Sequence, residues 1–154
     1  MTIKSTRGRN PQRGVAAVEF ALIATAVFTL LFGVIEMGRM LWTWNAAVEA
    51  TRLGARLAVV CDVNRAVAAP IKTSMRTRLA TLTNANIVIK YMNPPDTVDD
   101  TCTNANCKAA RVTLTGYTHN AILPFGPLAV TLPDFSTSLR KEFMSSAANE
   151  ICPT

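Results

Sequence analysis

The sequence predicts an α+β fold in which one long N-terminal helix is followed by a small domain of one helix and an antiparallel sheet. The long helix is predicted by an apolar run over residues 15–35 and by the absence of proline between Arg13 and Asn64. The sheet is predicted because the apolar period changes from about 3.6 residues to two beyond residue 86. Residues 61–154 are enough for one small domain and too few for two.

The apolar run predicts a membrane-spanning helix, which we place at residues 15–36. A helix rises about 1.5 Å per residue, so a run of this length can cross a hydrocarbon core of about 30 Å. A core helix of a water-soluble protein would need a polar face, and residues 20–35 offer only Thr25 and Thr29 for one. A membrane span therefore explains the run better.

A short basic leader precedes the run. Residues 1–14 carry Lys4, Arg7, Arg9 and Arg13 and no acidic residue. Because Lys and Arg in short flanks favour the cytoplasmic side, we expect a cytoplasmic N-terminus and an exported chain beyond the span. A secretory signal peptide has the same general form, but this run is too long for one and no A-x-A-like cleavage site closes it.

Residues 14–20, where the leader meets the run, read Gly-Val-Ala-Ala-Val-Glu-Phe, and this junction resembles the processing site of type IV pilin-like precursors. Over residues 13–60 the chain more closely resembles the TadE-like pseudopilins of bacterial tight-adherence (Flp-type) pili. The residues that carry this resemblance are Gly14, Ala16–Leu22, Phe32, Gly33, Ile35, Glu36, Gly38, Arg39, Asn45–Ala47 and Ala50–Arg56.

The resemblance implies a precursor that a membrane-embedded prepilin peptidase cuts between Gly14 and Val15. It implies a minor or accessory subunit that serves pilus assembly, adhesion or biofilm formation and is assembled through Glu19 and Phe20. The implied partners are the peptidase, other pilins and pseudopilins, the assembly platform of the bacterial inner membrane, and the lipid bilayer. No enzymatic activity, cofactor or metal is implied for the chain, which is itself a substrate.

Four segments are predicted on this basis. They are a cleaved cytoplasmic leader (1–14), a transmembrane helix (15–36), an exported helical stem (37–60) and a pilin-like periplasmic head (61–154). In the stem, Met37, Leu41, Trp44 and Val48 form one apolar stripe at helical spacing.

Glu19 has a physical role of its own in this scheme. Cleavage after Gly14 leaves an ammonium group on Val15, and a carboxylate from a neighbouring helix can neutralise it where an unpaired charge is costly. Glu19 also lies in the first turns of the mature helix, where the helix dipole favours an anion. The alternative is that Glu19 is a tolerated charge that reaches the membrane surface.

In the head, a second helix is predicted near residues 66–82, with Pro70 tolerated only in its first turn. Four strands are predicted after it. Their ranges are 87–92, 110–118, 128–132 and 135–144, with proline-rich breaks at 93–96 and 124–127.

Four cysteines on the exported side of a membrane predict disulfides. Three connectivities are possible, and we favour Cys102–Cys107, which closes a short polar loop, together with Cys61–Cys152, which ties the top of the stem to the C-terminus. Zinc is the alternative, but the single histidine, His119, has no partner pattern that suits a zinc site.

The excess of basic residues lies mainly in the leader, in agreement with the predicted topology. The formal net charge is +6, and the leader supplies four of the 16 basic residues and none of the 10 acidic ones. We therefore expect no nucleic-acid partner, and no motif of that kind occurs. No phosphate-binding loop, catalytic triad pattern or HExxH motif is present. Asp96, Asp99 and Asp100 could hold calcium, although a solvated acidic turn is the simpler interpretation.

Two functional hypotheses from different classes follow. The first is a processed structural pseudopilin held in the inner membrane and assembled through its long helix. The second is an uncleaved, single-pass membrane-anchored module whose periplasmic domain binds a ligand. The N-terminal residue of the membrane-extracted protein distinguishes them, because only the first begins at Val15.

Overall fold

The computed structural model describes residues 12–63, 65–123, 126–142, 144–147 and 152. It contains two α-helices and five strands and so confirms the predicted α+β class. In chain order these are α1 (Gln12–Val60), α2 (Arg65–Arg76), a 3₁₀ helix (Asn84–Asn86), β1 (Ile87–Met92), β2 (Ala109–Leu114), β3 (Thr118–Leu123), β4 (Gly126–Thr131) and β5 (Phe135–Arg140). The described chain divides into two compact units after Gly38.

The first unit is the N-terminal part of α1. None of the large apolar side chains from Val15 to Met37 is buried, and the most exposed of them, Phe20, has 73% of its surface accessible. The two hydroxyl groups in this stretch are satisfied within the helix, because Thr25 donates to the carbonyl of Ala21 and Thr29 donates to that of Thr25. Apart from Glu19, the outer surface over residues 15–35 is therefore apolar on every side.

The second unit begins with the rest of α1, which changes character. Its inner face is made of small residues, and Ala47, Ala50, Ala55 and Ala58 are completely buried. A Cβ atom added at Gly54 would lie 2.5 Å from the sulfur of Met75, which belongs to α2 and is itself fully buried. Small side chains thus let the two helices of this unit approach closely. The residues of the predicted stem from Arg39 onward form one compact unit with the residues that follow them.

The core of this unit lies between α1 and a three-stranded antiparallel sheet of order β1-β2-β5. The central strand β2 buries Ala110, Val112 and Leu114. It pairs Leu114 with Ile87 of β1 on one side and with Phe135 of β5 on the other. The sheet therefore ends in a buried row formed by these three residues.

Two contacts attach β5 to α1. The rings of Trp44 and Phe135 meet edge to face with centroids 4.8 Å apart. Farther along both elements, the hydroxyl of Thr137 donates to that of Thr51 at 3.2 Å. β5 therefore runs in the same direction as α1.

The remaining strands, β3 and β4, form a separate antiparallel hairpin. At its base the amide of Leu132 donates to the carbonyl of Tyr117 at 2.9 Å. The Tyr117 hydroxyl also shares a 2.6 Å hydrogen bond with Thr81. On the first residues of β3, buried His119 lies with its Nδ1 atom 3.4 Å from the hydroxyl of Thr43 on α1.

Several predicted boundaries in the head were wrong. The second helix ends at Arg76 and not at residue 82, and Pro70 lies inside it rather than in its first turn. Two turns follow the helix, in which Arg78 donates to the Met75 carbonyl and Leu82 to that of Leu79. These turns keep Leu79 and Leu82 buried. The helical spacing of apolar residues therefore continues past Arg76, and this is why the sequence predicted a longer helix.

The strand predictions were right for β1 and too long for β2 and β5. β2 ends at Leu114 because the chain turns at Gly116, whose φ of +61° suits glycine. β3 was missed, since Thr-His-Asn at its start has no alternating apolar pattern. The break predicted at 124–127 contains the start of β4 at Gly126, and residues 124 and 125 lie outside the described residues.

Replacing Gly54 by valine tests the close packing of α1 on α2. We expect Gly54→Val to lower the free energy of unfolding by about 1–3 kcal/mol, because the new side chain must displace a fully buried Met75. The measurement is thermal or denaturant unfolding in mild detergent, followed by near-ultraviolet circular dichroism. Gly38→Val is the matched control, since nothing lies within 4 Å of a Cβ atom there. Equal stability of the two variants would contradict the close approach.

Candidate processing and assembly surface

The Gly14–Val15 bond lies in the first turn of α1. The helix begins at Gln12, three residues earlier than the predicted start of the span at Val15, so the Gly14–Val15 bond is helical. The amides of a first turn have no partner within the helix, so glycine costs little at this position. A Cβ atom added at Gly14 meets nothing within 4 Å. Glycine is therefore not required here by packing within the chain.

Glu19 lies four residues after Val15 on the exposed surface of the helix. Residues separated by four positions share a helix face and lie about one turn apart, or about 6 Å along the axis. Phe20 is next to it and is the most exposed large apolar side chain in the first turns of the helix. The structure thus presents Val15, Glu19 and Phe20 together at one end of the apolar surface. The pairing of Glu19 with a second chain stays a prediction.

The apolar surface of the first unit meets the size requirement for a membrane span. Among the described residues, one helix is long and apolar enough to cross a bilayer, with a mean hydropathy of 2.3 over its most apolar 18 residues. No part of this stretch of 18 residues is buried. A surface that is apolar all round is what lipid requires and what water opposes. This finding is consistent with a single-pass membrane anchor.

The cysteines lie in the two pairs that the sequence favoured. Cys61, which follows the last residue of α1, lies beside Cys152 with a Cα–Cα distance of 5.6 Å. Cys102 lies beside Cys107 at 5.1 Å. All four side chains are buried, and Cys61 and Cys107 have no accessible surface.

The Cys61–Cys152 pair belongs to a larger closure at the end of α1. The amide of Met144 donates to the carbonyl of Val59 at 3.2 Å, and that of Ser145 donates to Val60 at 2.9 Å. These are carbonyls of the last helical turn, which lack partners within the helix. In addition, the hydroxyl of Ser146 accepts from the amide of Asp62 at 3.0 Å. The segment after β5 therefore caps α1 as well as being linked to its end.

The acidic loop is engaged in local contacts. Lys90 pairs with Asp100 at 2.9 Å. Asp99 accepts hydrogen bonds from the hydroxyl and the amide of Thr101, and these bonds lower the pKa of the Asp99 carboxyl below its usual value. No group of three His, Cys, Asp or Glu residues suited to a metal lies together in the part of the chain that the structure describes.

A cavity of about 530 Å³ in the second unit was not foreseen from the sequence. It is lined by Arg39, Trp42 and Thr43 from α1 and by Tyr117, His119 and Asn120 from the hairpin and the residue before it, among others. The two groups are far apart in the chain, so no local pattern could have predicted their meeting.

One buried hydroxyl group was also not predicted from the sequence. The Tyr91 hydroxyl has no hydrogen-bond partner among the described residues, and burial raises its pKa.

Comparison with known protein families gives a match within the N-terminal helix. Residues 14–56 match the model of a family described as TadE-like protein. The match begins at Gly14 and confirms the resemblance that the sequence suggested. No curated protein and no solved structure matches the chain.

Removing each cysteine pair separately should distinguish their roles. A crosslink stabilises more when it closes a longer loop, and the two pairs are separated by 91 and 5 residues. We therefore expect Cys61→Ala with Cys152→Ala to cost about 2–3 kcal/mol more than Cys102→Ala with Cys107→Ala. Denaturant unfolding in detergent measures the difference. Non-reducing mass spectrometry of each variant checks that the other bond remains, and four free thiols in the parent protein would contradict both pairs.

Proposed function

We propose that this TadE-like chain is a minor pilin or pseudopilin of a tight-adherence (Flp-type) pilus. In this proposal, a prepilin peptidase of the bacterial inner membrane cuts it after Gly14, residues 15–36 hold it in that membrane, and the head lies in the periplasm. The chain has no catalytic activity of its own and serves pilus assembly, adhesion or biofilm formation. Its partners are the peptidase, other pilins and pseudopilins, the assembly platform and the bilayer.

The observation that carries this proposal is the coincidence of the family match with an unusual surface. The match starts at Gly14 and covers the whole apolar run, whose side chains are exposed on every face. Glu19 is the one charged residue between Val15 and Ile35. A carboxylate at membrane depth costs about 2.5–3.5 kcal/mol on insertion scales, so we assign it a function.

Processing changes the charge at the membrane surface. Before cleavage the leader holds Lys4, Arg7, Arg9 and Arg13 next to the span. Cleavage removes these four charges and leaves one ammonium group on Val15. The scissile bond lies in the first helical turn, where helix ends fray readily, so the peptidase can bind it in a non-helical conformation at low cost.

The freed ammonium group and Glu19 provide a specific contact between helices. They lie about one turn apart on the same helix, so a neighbouring helix displaced along the axis by about one turn places its Glu19 beside this ammonium group. In a medium of low dielectric constant, pairing the two charges offsets the desolvation cost of each. Apolar contacts alone tolerate many registers, whereas this pair favours one.

The uncleaved binding module is the competing function. It shares the membrane anchor and the head but gives no role to the Gly14–Val15 bond. The state of the N-terminus therefore separates the two proposals.

Substitution of Gly14 should prevent processing without harming the helix. We expect Gly14→Val to abolish removal of the leader, because a branched side chain obstructs the peptidase cleft, whereas nothing within the chain opposes it. N-terminal sequencing and intact mass of membrane-extracted protein give the result, with Val15 as the first residue of the parent. Gly33→Val is the matched control, since its surroundings are equally open. A parent protein that retains its leader would support the binding module.

Substitution of Glu19 should impair assembly while leaving insertion intact. Glu19→Gln leaves the Val15 ammonium group unpaired, and a cost of about 3 kcal/mol corresponds to a loss of roughly a hundredfold in association with other pilins. Photo-crosslinking from a probe at Ile23, which is 60% exposed, measures this association in membranes. Carbonate extraction checks insertion.

Glu49→Gln is the control for the Glu19 variant. It removes one carboxylate from the same helix, and its 3.1 Å pair with Arg52 is exposed and contributes little. Undiminished crosslinking by Glu19→Gln would exclude the proposed contact.

A further inference from the structure

We propose that the cavity of about 530 Å³ in the second unit binds a saccharide that carries no positive charge. The cavity lies between α1, the residues that connect α2 to β1, and the first residues of the β3–β4 hairpin. Every described residue that lines it comes from Arg39 onward, so the site belongs to the second unit alone. The inference goes beyond the proposed pilus function and does not depend on the membrane helix or on cleavage of the leader.

The cavity has the size and the lining of a small-molecule site. Such sites usually enclose about 300–1,000 Å³ and place a few polar groups on a largely apolar wall. Leu79 supplies buried apolar surface, and three polar lining residues, Thr43, Tyr117 and His119, have no more than 7% of their surface exposed. Polar groups are costly to bury, so their concentration around one cavity distinguishes it from a gap in the packing.

The walls of the cavity are held in place by the protein itself. The side-chain amide of Asn86 donates to the carbonyls of Thr115 and Gly116 at 3.0 and 3.3 Å. In return, the amide of Thr115 donates to the carbonyl of Asn86 at 2.9 Å. These bonds join the connection that follows α2 to the turn that precedes β3. A ligand therefore meets a site that is already formed, which lowers the entropic cost of binding.

Two hydrogen-bonded pairs give the cavity both a donor and an acceptor. The hydroxyl groups of Tyr117 and Thr81 share one bond of 2.6 Å, which uses one of their two hydrogens and leaves the other for a ligand. The Thr43 hydroxyl donates to the Arg39 carbonyl at 3.0 Å, so its oxygen is an acceptor toward His119 Nδ1 at 3.4 Å. That distance is longer than usual, and a ligand hydroxyl can provide a shorter bond. Sugar hydroxyls suit both positions because they donate and accept.

An exposed aromatic side chain completes the lining. Trp42 is 66% exposed although it lines the cavity. The face of its ring carries partial negative charge, against which the C–H groups of a sugar ring can pack. A purely apolar ligand would cover the ring but leave the buried hydroxyl groups without partners, which is costly. A molecule with a C–H face and a rim of hydroxyl groups satisfies both parts of the site.

The charge of the lining restricts the kind of saccharide. Arg39 lines the cavity, and none of the described residues that line it is Asp or Glu. An amino sugar would therefore bring its ammonium group close to a guanidinium group without a carboxylate to pair with it. Neutral and acidic sugars meet no such penalty.

Calorimetric titration of the full chain tests the proposal. The protein is held in amphipol, because detergents with sugar headgroups would compete, and is titrated with trisaccharides of glucose, galacturonic acid or glucosamine. We expect saturable binding of the first two and at least tenfold weaker binding of the third. The chain has two tryptophans, so Trp44→Phe leaves Trp42 as the only one, and its emission should shift to shorter wavelength over the same concentrations.

Two pairs of variants locate the ligand. Trp42→Ala should weaken binding about five- to tenfold and Trp42→Phe should restore most of it, whereas Leu41→Ala, next to the site but not lining it, should have no effect. Thr81→Val should weaken binding about fivefold, and Thr77→Val, in the same connection but outside the lining, is its control. Near-ultraviolet circular dichroism checks that each variant keeps the fold.

Three results would overturn the proposal. They are the absence of saturable binding, equal binding of the glucosamine trisaccharide, and unchanged affinity in both Trp42→Ala and Thr81→Val. None of them bears on the Gly14–Val15 bond or on Glu19, so the proposed pilus function would stand.

Discussion

One continuous helix carries two different kinds of surface, and the rest of the structure depends on where it changes from one to the other. Over its first part α1 exposes large apolar side chains on every face, whereas from Ala47 to Ala58 it turns a row of small residues toward a packed core. The first pattern suits lipid and offers bulk for contact with other helices. The second pattern lets a sheet and a second helix approach the backbone closely. The division of the chain after Gly38 marks the change.

This division limits what each part can contribute to function. The exposed apolar part holds Val15, Glu19 and Phe20 and also includes most of the residues that match the TadE-like family. The head contributes the closure around Cys61 and the uncharged hairpin. The proposed pseudopilin function therefore depends mainly on the first unit, whereas the packed core belongs to the second.

The sequence was most informative where a local pattern reflects one physical cause. The long apolar helix followed from apolar length, β1 from alternation, and the Cys102–Cys107 pair from the short loop that it closes. It was least informative where distant residues determine the outcome. β3 begins with Thr-His-Asn and is a strand because it pairs with β4, and His119 is buried beside Thr43, a residue far from it in the chain. The second helix was predicted too long because Leu79 and Leu82 continue the helical spacing through turns.

The linkage between Cys61 and Cys152 has a mechanical consequence. It joins the end of α1 to a point that follows every strand in the chain, so the sheet and α2 lie within a covalent ring. Tension applied between α1 and Cys152 passes through the two sulfur atoms and bypasses the strands inside the ring. The linkage therefore protects the sheet from a pull applied at that point of the chain.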